Sequence, residues 1–145
     1  MFKITKVRDN AIIPAYQTEH SAGMDLHACI DSPITIKPME RLLIPTGLSI
    51  ELPAGYESQI RARSGLSLKY GIALANGTGT IDSDYRGEYG VAVINLGSEP
   101  FVIEPDMRIA QLVISKYEHV DWQEVDLLSE TRRGKGGFGS TGTSV

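Results

Sequence analysis

The chain has 145 residues, 41% of them hydrophobic and 22% charged, with a formal net charge of −4 at pH 7. That is the size and composition of one globular domain able to bury its own core. The acidic balance argues against a protein that coats nucleic acid, whose affinity comes from neutralising phosphates, and no run nears the roughly 20 apolar residues of a membrane helix. MFKITKVRDN lacks the apolar segment of a secretory signal. The lone Cys29 can form neither an internal disulfide nor a cysteine metal cluster, and His20, His27 and His119 lack metal-ligand spacing. A cytoplasmic protein with no nucleic-acid or membrane partner is the expectation.

In chain order, apolar residues alternate with period two far more often than with the helical 3.6. AGMDLHA (22–28) places Asp25 between apolar Met24 and Leu26, with His27 on the same strand face; a half-buried acid there needs partners. RLLIPTGLSIEL (41–52) reads as a β segment. YESQIRAR (56–63) sets Tyr56, Ser58, Ile60 and Ala62 on one face and Glu57, Gln59, Arg61 and Arg63 on the other. SGLSLKYG (64–71) has modest helical potential but is too short to stand alone.

NGTGTIDSDYRGEYG (76–90) carries Asp82 and Asp84, which share a face if a strand continues through them; Tyr85 then points the other way and walls a pocket. A polar DSDY turn is the competing reading. YGVAVINL, PFVIE and MRIAQLVISKY are further strands, and SEP before Phe101 reads as a hairpin connection. Gln111 is the polar exception in the apolar run RIAQLVI. Many short strands with Gly and Pro turns and no alternating helices predict an all-β, jelly-roll-like antiparallel barrel or sandwich over residues 1–126. After Asp126 the composition shifts to Ser, Thr, Gly and charge, predicting a flexible C-terminal arm over 127–145.

The charges are unevenly placed. Arg61 with Arg63, and Arg132 and Arg133 with Lys135, are local cationic sites on an acidic chain. They suit a small phosphorylated ligand better than a duplex, although solvated surface charge gives the same pattern. Arg63, Ser64 and Gly65 could combine a guanidinium fork, a hydroxyl and turn N–H groups around a phosphate. An ordinary strand-to-turn junction looks the same in sequence. Either Asp82 or Asp84 could act as general base toward a water while the other is solvated or pairs with Arg86. Gly134, Gly136 and Gly139 spell G-x-G-x-x-G, but neither the βαβ unit of a dinucleotide site nor the Lys-Ser/Thr of a P-loop accompanies them.

Five stretches in order, AGMDLHA, RARSGLSLKYG, GTIDSDYRGEYG, RIAQLVI and RGKGGFGSTG, resemble the five motifs of the homotrimeric dUTPases. The resemblance runs from Ala22 to Gly142. It departs at Met24, Ala62 and Tyr70, which stand where an aromatic, Pro and His are common. It implies hydrolysis of dUTP to dUMP and pyrophosphate, limiting uracil in DNA and supplying dUMP for dTTP synthesis. By that resemblance Asp82 activates water for attack at the α-phosphorus, and Gln111 positions the water or the α-phosphate. Arg63, Ser64 and Gly65 bind the phosphate chain. Asn76, Thr80, Ile81 and Gly90 form the uracil pocket, with Tyr85 under the deoxyribose. Phe138 stacks on the uracil, while Arg133, Gly139, Ser140 and Thr141 hold the γ-phosphate end. Mg2+ is implied, held chiefly by substrate phosphates and water, with Asp25 meeting it through water. So is self-association as a homotrimer with interface active sites closed by the arm. A dCTP deaminase and a non-catalytic nucleotide sensor on the same scaffold are the alternatives; the intact tail and Asp82 favour hydrolysis.

Overall fold

The computed structural model describes residues 1–140 and Gly142. Eleven strands and one short helix are formed among them. In order they are β1 (Lys3–Lys6), β2 (Gly23–His27), β3 (Ile34–Ile36), β4 (Arg41–Pro45), β5 (Leu48–Glu51), β6 (Tyr56–Ala62), α1 (Ser64–Tyr70), β7 (Ile72–Leu74), β8 (Gly79–Ile81), β9 (Gly90–Asn95), β10 (Phe101–Ile103) and β11 (Arg108–Lys116). The pairs β1–β5 and β3–β10 flank a four-stranded sheet, β2–β11–β6–β8, and a three-stranded sheet, β4–β9–β7. Every pairing is antiparallel, the jelly-roll-like all-β architecture that the alternation predicts.

The alternation does its work in β6. Ser58 and Ile60 are buried while Arg61 is exposed, and Ile60 meets Leu112 of β11 across the ladder. These inward side chains join Leu26, Ile36, Ile44, Leu48, Val91, Val93 and Ile103 in one core. The opposite face of the same sheet carries the row Asp25–Gln111–Arg61, directly paired across three strands. One sheet therefore separates an apolar core from a polar row that can meet a ligand.

Two local readings are corrected, and one left open is decided. RLLIPTGLSIEL is two strands, because the chain turns at Gly47 with φ 70°. SEP is not a hairpin: β9 pairs with β4 and β7, while β10 pairs with β3. Buried Asn95 fixes this change of sheet, donating to the carbonyls of Ile36 (2.9 Å) and Glu99 (2.8 Å) and accepting from the Gly97 N–H (2.8 Å). Asp82 and Asp84 do not share a strand face, since β8 stops at Ile81. The polar turn forms instead, with the Tyr85 N–H donating to the Asp82 carbonyl at 3.2 Å. Arg86 donates to the carbonyls of Ser83 and Tyr85.

The short helix survives because its end is held. Gly71 takes the left-handed conformation with φ 72° and donates back to Leu66 and Ser67, closing the helix as a C-terminal glycine does. A Cβ there would lie 2.4 Å from the Gly97 amide nitrogen. Cys29 is buried and donates to Asn10 Oδ1 at 2.9 Å, and burial pushes its thiol up from its ordinary range.

Replacing Asn95 by Leu leaves three backbone groups at the sheet change without partners. Each unsatisfied buried group costs roughly 1–3 kcal/mol, so urea unfolding should show a loss on the order of 3 kcal/mol. Wild-type stability in Asn95→Leu would refute the clamp.

Candidate active site

The β8–β9 connection builds a pocket of about 280 Å³. Thr80, Ile81, Asp82, Tyr85 and Gly90 all line it, so five residues singled out in the sequence converge. Asp82 is exposed at its mouth, on the first residue after β8. Leu43, Glu88 and Tyr89 complete the wall; sequence reasoning missed these three. Leu43 arrives through the β4–β9 register, which sets Pro45 opposite Gly90. A Cβ on Gly90 would approach Leu43 Cδ1 to 2.8 Å, so glycine lets that leucine cover the floor. Tyr89 is buried and shares a hydrogen bond of 2.8 Å with Ser58. Desolvation pushes its phenol above the usual range, opposed by the Ser58 hydrogen bond.

A second cluster lies at the far end of β6. Arg63 follows the strand as the N-cap of α1, with Ser64 and Gly65 exposed beside it. Nothing within 4 Å would meet a Cβ on Gly65, leaving its backbone open to approach. Asp25 is buried and lies between two guanidinium groups: Arg63 Nε at 3.2 Å from Oδ1 and Arg108 Nη1 at 3.3 Å from Oδ2. Arg63 also donates to the Arg108 carbonyl at 3.0 Å. Arg108 was not anticipated, because a bulge in β11 between Arg108 and Ala110 brings it beside His27 and Asp25. Desolvation lowers the His27 pKa, with the Asp25 charge opposing it. Gln111 is half-buried beside Asp25 on the polar row.

These clusters do not meet within the chain. Ile81 pairs with Ser58, five residues before Arg63, and a strand rise near 3.3 Å per residue separates them by roughly 17 Å. Asn76 belongs to neither; it lies exposed in the β7–β8 turn, with its Nδ2 beside Gly79. The arm residues form local turns: Arg133 Nε donates to the Gly136 carbonyl at 2.8 Å, and Ser140 N–H to Gly137 at 3.0 Å. Phe138 is fully exposed with φ 49°, and Gly139 follows at φ 90°. Thr141 lies outside the described residues.

Among the described residues no three His, Cys, Asp or Glu side chains gather as a metal cage. Asp25 Oδ1 is buried and has no hydrogen-bond partner, since Arg63 Nε is close without being aligned to it. Covered as it is and flanked by two guanidinium groups, that oxygen is closed to a metal-bound water in this conformation. With its charge already met by two arginines, Asp25 is no direct metal ligand, and a hard cation at this site would draw its ligands from a bound anion and water.

The dUTPase family model matches residues 9–142. The chain is 60% identical over 141 residues to the deoxyuridine 5'-triphosphate nucleotidohydrolase of Rickettsia akari (strain Hartford), covering 97% of this chain and 95% of that protein. It is 60% identical over 130 residues to the protein of the same name from Orientia tsutsugamushi (strain Boryong), covering 90% and 88%. Among solved structures, the Staphylococcus bacteriophage 80alpha dUTPase with dUPNHPP superposes with a TM-score of 0.90 at 26% identity, over 99% of both chains.

Asp25→Asn should leave Arg63 and Arg108 facing each other without their counter-charge. Their side chains keep 30% and 50% of their exposure, so the expected loss is about 2 kcal/mol, below the 3–5 kcal/mol of a fully buried pair. Chemical denaturation measures it, and an unchanged midpoint would show that the carboxylate does not hold the arginines.

Proposed function

This chain belongs to the dUTPase family, and from that premise we propose how its separated clusters become one active site. The protein is a hydrolase that converts dUTP to dUMP and pyrophosphate. The observation that carries the residue-level reading is the convergence of Thr80, Ile81, Asp82, Tyr85 and Gly90 on one pocket.

In this reading the strand backbone at Thr80, Ile81 and Gly90, together with Asn76, recognises the uracil edge. Fixed hydrogen-bond partners reject cytosine, because its exocyclic amine would leave buried groups mispaired. Tyr85 lies beneath the deoxyribose. Asp82 stands at the pocket mouth, where its carboxylate takes a proton from the water that attacks the α-phosphorus. Gln111 positions that water or the α-phosphate, and Arg63, Ser64 and Gly65 bind the phosphate chain. Residues 127–145 form the closing arm over the barrel of residues 1–126. In it Phe138 stacks on the uracil, worth about 1–3 kcal/mol by analogy with base–aromatic stacking, and Arg133, Gly139, Ser140 and Thr141 take the γ-phosphate end. Mg2+, when bound, neutralises phosphate charge and fixes the chain of phosphates for in-line displacement. Asp25 would meet it through water once a shift of Arg63 uncovers Oδ1.

Two observations support self-association. The pocket and the Arg63 cluster are offset by roughly 17 Å along β6, a separation that suits a site shared with a neighbouring copy. Trp122, Leu127 and Leu128 are almost wholly exposed, and such apolar side chains gain by burial against another chain. The number three follows the family resemblance. No helix among the described residues is long and apolar enough to cross a membrane, and we place the enzyme in the cytoplasm beside the nucleotide pool.

Asp82→Asn should bind dUTP with affinity near wild type and turn it over 10²–10⁴-fold more slowly, the usual scale of general-base loss. Calorimetry and a pyrophosphate assay separate the two effects; near-wild-type turnover would remove Asp82 from the role. Mixed oligomers of Asp82→Asn and Arg63→Ala chains should regain activity that neither variant shows alone. Failure of complementation, with exchange verified by mass spectrometry, would place both halves of the site within one chain. Truncation after Arg132 should leave a folded oligomer with most activity gone, and full activity would free the arm of its role.

A further inference from the structure

The Arg8–Glu88 pair takes no part in the roles assigned above. Arg8, in the segment after β1, presents a fork: Nε donates to Glu88 Oε1 at 2.7 Å and Nη2 to Oε2 at 3.1 Å. The Gly47 N–H donates to the same Oε1 at 2.9 Å. Gly47 sits at φ 70°, where a Cβ would lie 2.6 Å from Ala11 Cβ and 2.7 Å from Cys29 Sγ. Packing that only glycine permits thus aims this N–H. The Glu88 carboxylate is held by two segments remote in sequence, and its hydrogen bond to Arg8 keeps its pKa below the ordinary carboxylate range, with burial opposing.

From Glu88 the constraint passes into the pocket. Tyr85 Oη donates to the Glu88 carbonyl at 3.1 Å. The backbone at Gly87 abuts the same phenol, since a Cβ there would collide with Tyr85 Oη and Cζ. The Tyr89 ring stands 6.1 Å from the Tyr85 ring, and Tyr89 is itself fixed through Ser58. Tyr85 is only partly held by burial, being 45% exposed. Its position therefore depends on the path of residues 85–89, whose backbone is held at Arg86 by the Ser49 hydroxyl and at Tyr89 by Thr46 and Leu48, and whose side-chain anchor to the segment after β1 is Glu88.

We propose that the Arg8–Glu88 pair is the positioning device for Tyr85, and through it sets how strongly the pocket rejects a ribonucleotide relative to a deoxyribonucleotide. This rests on the reading of Tyr85 as the wall beneath the sugar. A single exposed ion pair contributes little to stability, but a bidentate arginine with a third, backbone donor defines a geometry. Space for a hydroxyl is decided by the placement of one ring, and a tenfold change in selectivity corresponds to only about 1.4 kcal/mol. Arg8 does not line the pocket. Its influence on sugar choice has to run through Glu88.

The test compares kcat/KM for dUTP, UTP and dCTP, with magnesium, in Arg8→Ala, Arg8→Lys, Tyr85→Phe and Tyr85→Ala. Arg8→Ala should raise the UTP-to-dUTP ratio about tenfold and leave the dCTP-to-dUTP ratio within about twofold of wild type, tenfold being the 1.4 kcal/mol above. Arg8→Lys, which keeps the charge and loses the fork, should fall between. Tyr85→Phe should move the ratio in the same direction, and combining it with Arg8→Ala should add less than the product of the two, as for residues acting through one element. A proportional fall for all three nucleotides in Arg8→Ala would mean a merely structural pair and overturn the proposal. So would an unchanged sugar ratio in Arg8→Ala where Tyr85→Ala relaxes it, leaving the role of Tyr85 intact. If Tyr85→Ala leaves the sugar ratio unchanged, the reading of Tyr85 fails and the proposal falls with it. Should Arg8→Ala not fold, Arg8→Lys carries the same comparison.

Discussion

The register of β6 against its two neighbours is the constraint on which the site depends. β6 is bonded to β11 on one side and to β8 on the other, so neither end can swing toward the other without breaking a ladder. The pocket hangs from the β8 end and the Arg63 cluster from the opposite end, and the spacing between them is set by strand rise. Side-chain rotation cannot close a gap of that origin. A chain so built keeps the base pocket apart from the basic cluster, and the proposed oligomer joins the pocket of one copy to the basic cluster of another.

The features legible in the sequence were those that depend on local backbone geometry. Alternation in YESQIRAR assigned the core face of β6 because period two is a property of the extended chain itself. Gln111 stood out because an amide in an apolar strand needs a partner. Choices settled by pairing partner were not legible. RLLIPTGLSIEL has no composition break at Gly47, and the close contacts that require glycine there come from Ala11 and Cys29. SEP has hairpin composition, yet β10 belongs to β3. Leu43 and Arg108 reached the candidate site through a strand register and a bulge, two features that leave no mark on the segments they join. At Asp82 and Asp84 the sequence left strand and turn both open, and one hydrogen bond from Tyr85 decided between them.

Asp25 shows how an anchor and a ligand contact can share a residue. Its burial would be costly for a lone carboxylate, and the two arginines offset that cost from opposite sides. One oxygen still lacks a hydrogen bond. In the proposed reading this carboxylate orients Arg63 toward the phosphate chain, and it would meet a hydrated cation only once Oδ1 is uncovered.

The two ends of β6 also divide the tasks of recognition. The pocket between Thr80 and Gly90 is complete within one chain, walled by buried Tyr89 and by a loop fastened at Glu88. In the proposed reading it tests base and sugar before any partner residue is engaged. The side chains proposed to bind phosphate come from a strand terminus, a short helix and an arm held by local turns, and none of those described lines the base pocket. In the proposed reading a nucleotide is admitted by the rigid half, and turnover waits for the assembled half. Such a sequence places discrimination on packing, where a misplaced hydroxyl meets a fixed wall, and places rate on charge, where arginines, metal and arm must converge on the same phosphates. The exposure of Phe138 fits this division: an aromatic ring left in water by the lone chain has its apolar area still to bury, and a bound base provides the surface.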